Sequence, residues 1–505
     1  MRSSIALLLL FVVGSALSLA INKGTTGFNR KRWLIHGRPW HGLVPHPNVP
    51  AGHSDDKFPA QFFQQPVDQF NDIGKQWNQR YWSNNQWYKP GGPIFIMLGG
   101  EGPEDSSWVS FGGLEWTQLA QKFNAMVYLI EHRFYGQSQP LGQVSSVEHL
   151  KYLSSEQALA DMAAFIKGMN KAQGYTNPKW IVFGGSYSGA LAAWAREKYP
   201  ELVYGALASS APVQAEVDFY QYLEVVQFAF SQTDKNCADT IHQGFVKMQA
   251  LARTASGRQT LKDAMNTCQV IDPANPGNVH TFWQSMIGNY MGVVQYGGDN
   301  AGQYQNYDTP KTVCKMLNKP GVDILTKMAD VNNFFMEQNM EDCVDIDYNN
   351  YLKYMKDPVD VSDRMWTWQT CTEFGYYQSS TSKTAGPFFG DNSKKLVPIK
   401  WLVEECGLIF GTDYNGPSVY DAIKKTNDFY GGAKSFNATR VIFPNGNHDP
   451  WHALGVLHSP NPSSPAIVIN GTAHCADMYA TDPSDLPGLT AARKKIADTF
   501  SQWFP

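Results

Sequence analysis

The first 236 residues of this 505-residue chain contain no cysteine, and none of its seven cysteines stands in a Cys-x-x-Cys pair. That spacing excludes the common zinc-knuckle and dithiol redox motifs, so neither a metal nor another cofactor is expected. After the N-terminal apolar run there is no second one near the ~20 residues that cross a bilayer, and no membrane partner is expected. Charge is scarce and balanced: 17% of residues are charged and the formal net charge is −4. A balanced surface gives no electrostatic reason to expect nucleic acid as a partner. Internal repeats, low-complexity tracts and long charge runs are also missing.

What is there begins with Arg2, an apolar run from Ile5 to Val13 and the small residues Ser18-Leu-Ala20. This is the layout of a cleavable secretory signal over 1–20, followed by an N-terminal segment over 21–57. Within that segment, Arg30-Lys-Arg32 reads as a solvated basic patch in preference to a propeptide cleavage site. A secreted or lysosomal protein is expected. Six of the seven cysteines, at 237, 268, 314, 343, 371 and 406, fall in one central block, and Cys475 stands apart. In an oxidising compartment such a block is stapled by disulfides, and the odd count leaves at least one thiol over. Asn437-Ala-Thr and Asn470-Gly-Thr are glycosylation acceptors that favour surface loops.

The stretch Trp180-Ile-Val-Phe-Gly-Gly-Ser-Tyr-Ser-Gly-Ala-Leu-Ala-Ala-Trp194 reads as a buried strand running straight into a helix. A Gly-x-Ser-x-Gly elbow exposes a nucleophilic serine at such a turn, which makes Ser186 the candidate. Here the residue two past the serine is Ser188 instead of glycine, with Gly189 beside it. Pro93–Leu98, Ala125–Ile130 and Tyr204–Ser210 are further short apolar runs, and a capping box, Ser154-x-x-Gln157, opens an apolar helical face through Met169. Alternation of strand and helix predicts a doubly wound α/β sheet over 58–213. The text over 214–420 is helical, aromatic and cysteine-bearing, as an inserted cap would be. Strand signals at Arg440–Phe443 and Pro465–Ile469, with a closing helix over Ala491–Trp503, complete the sheet domain over 421–505.

A serine needs a base and the base an orienting carboxylate, which follow it in this fold in the order acid, then histidine. The loop after Arg440–Phe443 supplies Asp449, and the loop after Pro465–Ile469 supplies His474. His448, His452 and His458 precede the last strand and so miss the base position, and Asp477 follows the histidine it would have to orient. Cys475 has no elbow around it and reads as a bystander thiol. The oxyanion hole is expected from the amide of Tyr187 and an amide near Gly100 or Glu101.

Gln64-Gln-Pro-Val-Asp-Gln-Phe-Asn71, Gln79-Arg-Tyr81, Pro90-Gly-Gly-Pro-Ile-Phe95, Gly99-Gly-Glu-Gly-Pro103, Glu131-His-Arg-Phe-Tyr-Gly136, Gly184-Gly-Ser-Tyr187, Trp368-Gln-Thr-Cys-Thr-Glu-Phe-Gly375 and Asp449-Pro-Trp451 are specific motifs. In this order they resemble the serine peptidases that include prolyl carboxypeptidase, dipeptidyl peptidase II and thymus-specific serine protease. The Gln-Thr-Cys-Thr-Glu-Phe-Gly run looks most like the thymus-specific branch. The resemblance implies an α/β-hydrolase fold with a disulfide-stapled helical cap, a Ser186, Asp449 and His474 triad, and peptide substrates cleaved after proline. It also implies the pairs Cys237 with Cys314, Cys268 with Cys343 and Cys371 with Cys406, leaving Cys475 over. A further bridge of prolyl carboxypeptidase has no counterpart pair here. Trp451 is the candidate wall of a proline pocket, and Glu373 or Glu101 could meet a substrate amine. Carboxypeptidase, dipeptidyl peptidase and endopeptidase activities all stay open, as does a homodimer. The rival classes are a carboxylesterase or lipase with the same triad and a catalytically silent binding protein on this scaffold.

Overall fold

The computed structural model of the chain describes residues 45–50, 52–142, 146–297, 309–358, 362–384, 388–391 and 393–504. The expected signal over 1–20 and the cluster Arg30–Arg32 lie outside the described residues. The strands are β1 (Gln61–Pro66), β2 (Gln76–Asn84), β3 (Ile94–Leu98), β4 (Met126–Ile130), β5 (Trp180–Gly185), β6 (Val203–Ser209), β7 (Glu216–Asp218), β8 (Gly375–Tyr377), β9 (Val441–Gly446) and β10 (Ala466–Ile469). Eight of them form one sheet in the order β1-β2-β4-β3-β5-β6-β9-β10. From β4 to β10 all neighbours are parallel, whereas β1 and β2 pair antiparallel and β2 also runs antiparallel to β4.

Every residue of β3, β4 and β5 is buried, as continuous apolar strands covered on both faces require. Along β3, Ile94, Ile96 and Leu98 face one core with Leu159, Met162 and Leu191, while Phe95 and Met97 face the other with Leu119, Ile496 and Phe500. This two-sided packing and strand order are those of an α/β-hydrolase fold. The helix expected from Ser154 runs over Ser155–Gln173, with Ser154 Oγ accepting the Gln157 amide at 3.2 Å. Gln157 does not complete the capping box. Its side chain accepts the amide of Gln69 at 2.9 Å and donates to Asp68 at 2.8 Å, tying the helix to the loop after β1. The closing helix spans Pro487–Trp503.

Between β6 and β9 most of the described residues are helical, from Gln221–Thr233 to Gly416–Tyr430, with a longer non-helical stretch after β8. The short parallel pair β7 and β8 ties the start of this insertion to its later half, with Glu216 opposite Gly375. Disulfides join Cys237 to Cys314, Cys268 to Cys343 and Cys371 to Cys406, and Cys475 is a buried free thiol. Asn437 and Asn470 are exposed. Among the described residues no helix is long and apolar enough to cross a membrane.

Candidate active site

Ser186 occupies the turn between β5 and the helix Tyr187–Lys198, with φ 61° and ψ −129°. Such a conformation is costly for a residue with a Cβ, and it persists only where the surroundings enforce it. Here they do. The Ser186 amide donates to the carbonyl of Ser209 at 3.0 Å. A Cβ on Gly184 would stand 2.0 Å from the carbonyl oxygen of Ser188, and one on Gly189 would stand 2.6 Å from that of Ser209. Both flanking positions therefore admit only glycine. Ser188, the departure from the usual elbow pattern, uses its hydroxyl as a staple: Oγ donates to Gly185 O at 2.9 Å and accepts from Gly185 N at 3.1 Å.

Asp449 follows β9 and caps the short 3-10 helix Pro450–Leu454, its Oδ1 accepting the Trp451 amide at 2.9 Å. Its other oxygen lies 2.8 Å from Nδ1 of His474, in the loop after β10, and neither side chain is exposed to solvent. Burial pushes the imidazole down, but the facing Asp449 carboxylate and the neighbouring Cys475 together more than offset this and hold His474 well above the ordinary histidine range. The two loops are also tied through backbone: Asn447 N donates to Ile469 O and His448 N to Thr472 O, each at 3.0 Å. Gly185, just before Ser186, faces Cys475, just after His474. A Cβ there would stand 3.1 Å from the Cys475 sulfur.

The other histidines are engaged elsewhere. His452 Nδ1 lies 2.6 Å from the main-chain oxygen of Asp449, His448 packs edge-on against Phe228 at 5.8 Å between ring centroids, and His458 is exposed. Asp477 accepts from Ser209 Oγ at 2.5 Å, and burial raises its carboxyl to about 6.

The loop after β3 lies against the elbow. A Cβ on Gly100 would be 3.8 Å from Ser188, and Glu101 is buried beside it. Gly100 N already donates to Glu104 Oε1 at 3.2 Å. Holding this loop is Glu131, whose carboxylate takes the Glu104 amide at 3.0 Å, Gln137 N at 3.0 Å, Ser138 Oγ at 2.8 Å and the Arg80 guanidinium. Gly136 is forced by the same carboxylate, which a Cβ there would meet at 2.0 Å, and its φ is +55°. Three of the sequence motifs thus meet in one buried cluster that shapes the loop.

A second network reaches the elbow through the side chain of Tyr187. His132 is neutral, because burial lowers it to about 3, and its Nδ1 donates to Arg133 O at 2.7 Å. Its Nε2 therefore accepts from Tyr187 OH at 3.0 Å. That hydroxyl accepts from Gln369 Nε2 at 2.9 Å, and Gln369 Oε1 accepts from Tyr135 OH at 2.6 Å. Gln369 precedes a π-helical turn, Thr370–Phe374. Sequence reading quoted these residues as motif letters and assigned them no contacts, since their partners are 55 and 182 positions away.

Trp451 is 3% exposed, walled by Tyr376, Phe219, Tyr222 and His474 at centroid distances of 5.2, 5.4, 6.0 and 6.4 Å. Glu373 accepts from the amide and hydroxyl of Ser155, at 2.9 and 2.6 Å, at the start of the helix Ser155–Gln173, and burial raises its carboxyl to about 7. The structure brings Ser186, Tyr187, Gly100, Glu101, Asp449, His474 and Trp451 to one end of the sheet and gives Glu373 a helix terminus as its partner. Among the described residues no group of three or more His, Cys, Asp or Glu could hold a metal ion.

Comparison with known proteins follows the same outline. The chain is 47% identical over 483 residues to a Caenorhabditis elegans protein named provisionally as a serine protease, covering 94% of each. It is 33% identical to the thymus-specific serine protease of Mus musculus, over 91% of this chain and 90% of that one. With the lysosomal Pro-X carboxypeptidase of Bos taurus it shares 30% identity, over 88% of each. A solved proline iminopeptidase of Mycobacterium smegmatis superposes with a TM-score of 0.35 at 13% identity, covering 88% of this chain and 98% of that one, a likeness that carries no argument here. The sequence profile of the serine carboxypeptidase S28 family matches residues 65–496, most of the chain. The chain belongs to that family of serine peptidases.

Proposed function

We propose that this protein is a secretory-pathway exopeptidase that cleaves peptides after proline, with Ser186 as nucleophile, His474 as base and Asp449 as the group that orients it. One observation carries the reading: the buried 2.8 Å contact between Asp449 and His474, on two loops at the same sheet end as a strained serine elbow. A carboxylate on Nδ1 fixes the tautomer that leaves Nε2 to take a proton, and it stabilises the imidazolium that results. Ser186 Oγ attacks the scissile carbonyl carbon and its proton passes to His474. The oxyanion so formed is held by the amide of Tyr187 and one from the Gly100–Glu101 loop. Collapse breaks the C–N bond as His474 returns the proton to the leaving amine. Water, deprotonated by His474, then hydrolyses the acyl-enzyme and regenerates the serine.

Proline preference is supported by relatives named as Pro-X carboxypeptidases, whereas Trp451, 3% exposed and enclosed by Tyr376, Phe219 and Tyr222, offers almost no face to a substrate ring. The disulfides and the lysosomal relatives support a lysosomal or extracellular site of action. The Ser155 contacts of Glu373 favour a capping role over amine recognition, so the carboxypeptidase mode is preferred. Peptide libraries with free and blocked termini test the reading. Release of a single C-terminal residue after proline supports it. Dipeptide release after proline overturns the carboxypeptidase mode, and internal cleavage, or faster turnover of simple esters than of any peptide, overturns the exopeptidase reading.

A further inference from the structure

The base loop is completed by the insertion. The amide of His474 donates to the carbonyl of Gln295 at 2.9 Å. Gln295 is the last residue but one of the helix Pro276–Tyr296, where main-chain carbonyls have no partner within the helix. The following Gly297 is extended (φ −79°, ψ 156°) and does not fold back to close the helix end. The Gln295 side chain is fixed as well: its Oε1 accepts from Tyr222 OH at 2.6 Å, and Tyr222 packs edge-on against Trp451. Tyr296 presents its ring edge-on to the imidazole at 6.0 Å. Three residues on two helices of the insertion thus clamp the residue that the sheet domain alone leaves on a loop.

We infer that Gln295 and Tyr222 are positioning residues for the base, and that seating the insertion on His474 sets both its orientation and its readiness to carry a proton. This rests on the reading of His474 as the base. The Gln295 carbonyl holds the main-chain amide of His474, so it fixes where the loop sits and with it the contact of the ring to Asp449, which stabilises the imidazolium formed during acyl transfer. Among the described residues the other ionisable groups around the ring are Cys475 next in sequence, Asp477 beyond it and Tyr296 against its edge, with Tyr222 beside Asp449. Tyr222→Phe and Gln295→Met add no ionisable group, and the phenol that Tyr222→Phe removes stays protonated throughout the working range; Gln295→Glu adds a carboxyl and is therefore read by kcat alone.

The test uses the full-length protein, with active sites counted by a small fluorophosphonate and turnover expressed per labelled site. Tyr222→Phe removes the hydroxyl and keeps the ring against Trp451. Gln295→Met keeps the length and removes the acceptor, and Gln295→Glu restores an acceptor for Tyr222. The expected result for Tyr222→Phe and Gln295→Met, which keep the main-chain bond to His474 but lose the buried Tyr222–Gln295 bond that seats the helix end on it, is a kcat per site lowered about tenfold with KM within about twofold. The acidic limb of kcat/KM should move to lower pH in both, and Gln295→Glu should recover most of the kcat. Fewer labelled sites with unchanged kcat per site and an unmoved limb would reduce the contact to a folding role and overturn the inference. His474→Ala separates the two levels. If it retains turnover, the base assignment fails; if it is inactive while the other variants behave as the parent per site, only the positioning inference fails.

Discussion

Gly185 and Met478 are packed so closely that a Cβ on the glycine would stand 2.2 Å from the methionine sulfur. The strand that ends at Ser186 and the turn that follows His474 are therefore locked together without room for a methyl group. Gly185→Ala must displace the buried Met478 side chain, push the two elements apart or bend the elbow. Overpacking of this kind costs about 1–3 kcal/mol and shifts Ser186 relative to His474, the base in the proposed mechanism. The expected outcome is a lower denaturation midpoint and a fall in turnover of at least about tenfold. An alanine variant with parental kcat would show that this packing is not what sets the geometry.

Buried carboxyls give the protein a pH-dependent stability. Burial raises Glu115 to about 7, Glu373 to about 7 and Asp477 to about 6. A group whose folded value is raised holds its proton more tightly in the native state. It therefore contributes stability in full below about pH 4, and loses it as the pH climbs through 6 to 7. His132 has the opposite sign, since burial lowers it to about 3, and its contribution is lost as the pH falls below the unfolded histidine value. Melting temperature should peak on the acid side of neutrality and fall between about pH 5 and 8. Glu115→Gln, which removes one of the three, should flatten that fall. A melting temperature that rises steadily to pH 8 would contradict these assignments.

Cys475 is buried, and its thiol is pushed up by that burial, partly offset by His474. A thiol without solvent access or thiolate character reacts slowly. Iodoacetamide should leave the native protein unmodified and, after unfolding without reductant, should add one label, at Cys475. Labelling of any cap cysteine under those conditions would show that the three disulfides are not all formed.

How much of this was legible in the sequence depended on how local each constraint is. The elbow could be read from Trp180 to Trp194 because a buried strand, three glycines and a helix follow one another without a break, and Asp449 and His474 because chain order alone fixes their loops. β1 and β2 were not read as strands, since Gln76–Asn84 is mostly polar and lies near the sheet edge, where apolar periodicity is weak. The Ser154 capping box was read one contact too far: Gln157 finds a tertiary partner in Gln69, 88 residues away. For the same reason the motif letters Glu131, His132 and Gln369 could be quoted but not explained. Their partners are brought in by the fold, and nothing in the spacing of the chain announces them.

The most direct test of the account is to label the protein with a fluorophosphonate and map the adduct by mass spectrometry, beside Ser186→Ala. The account predicts a single adduct on Ser186, with loss of both labelling and peptide hydrolysis in the alanine variant. An adduct on another residue, or an alanine variant that still labels and still cleaves peptides, would contradict it.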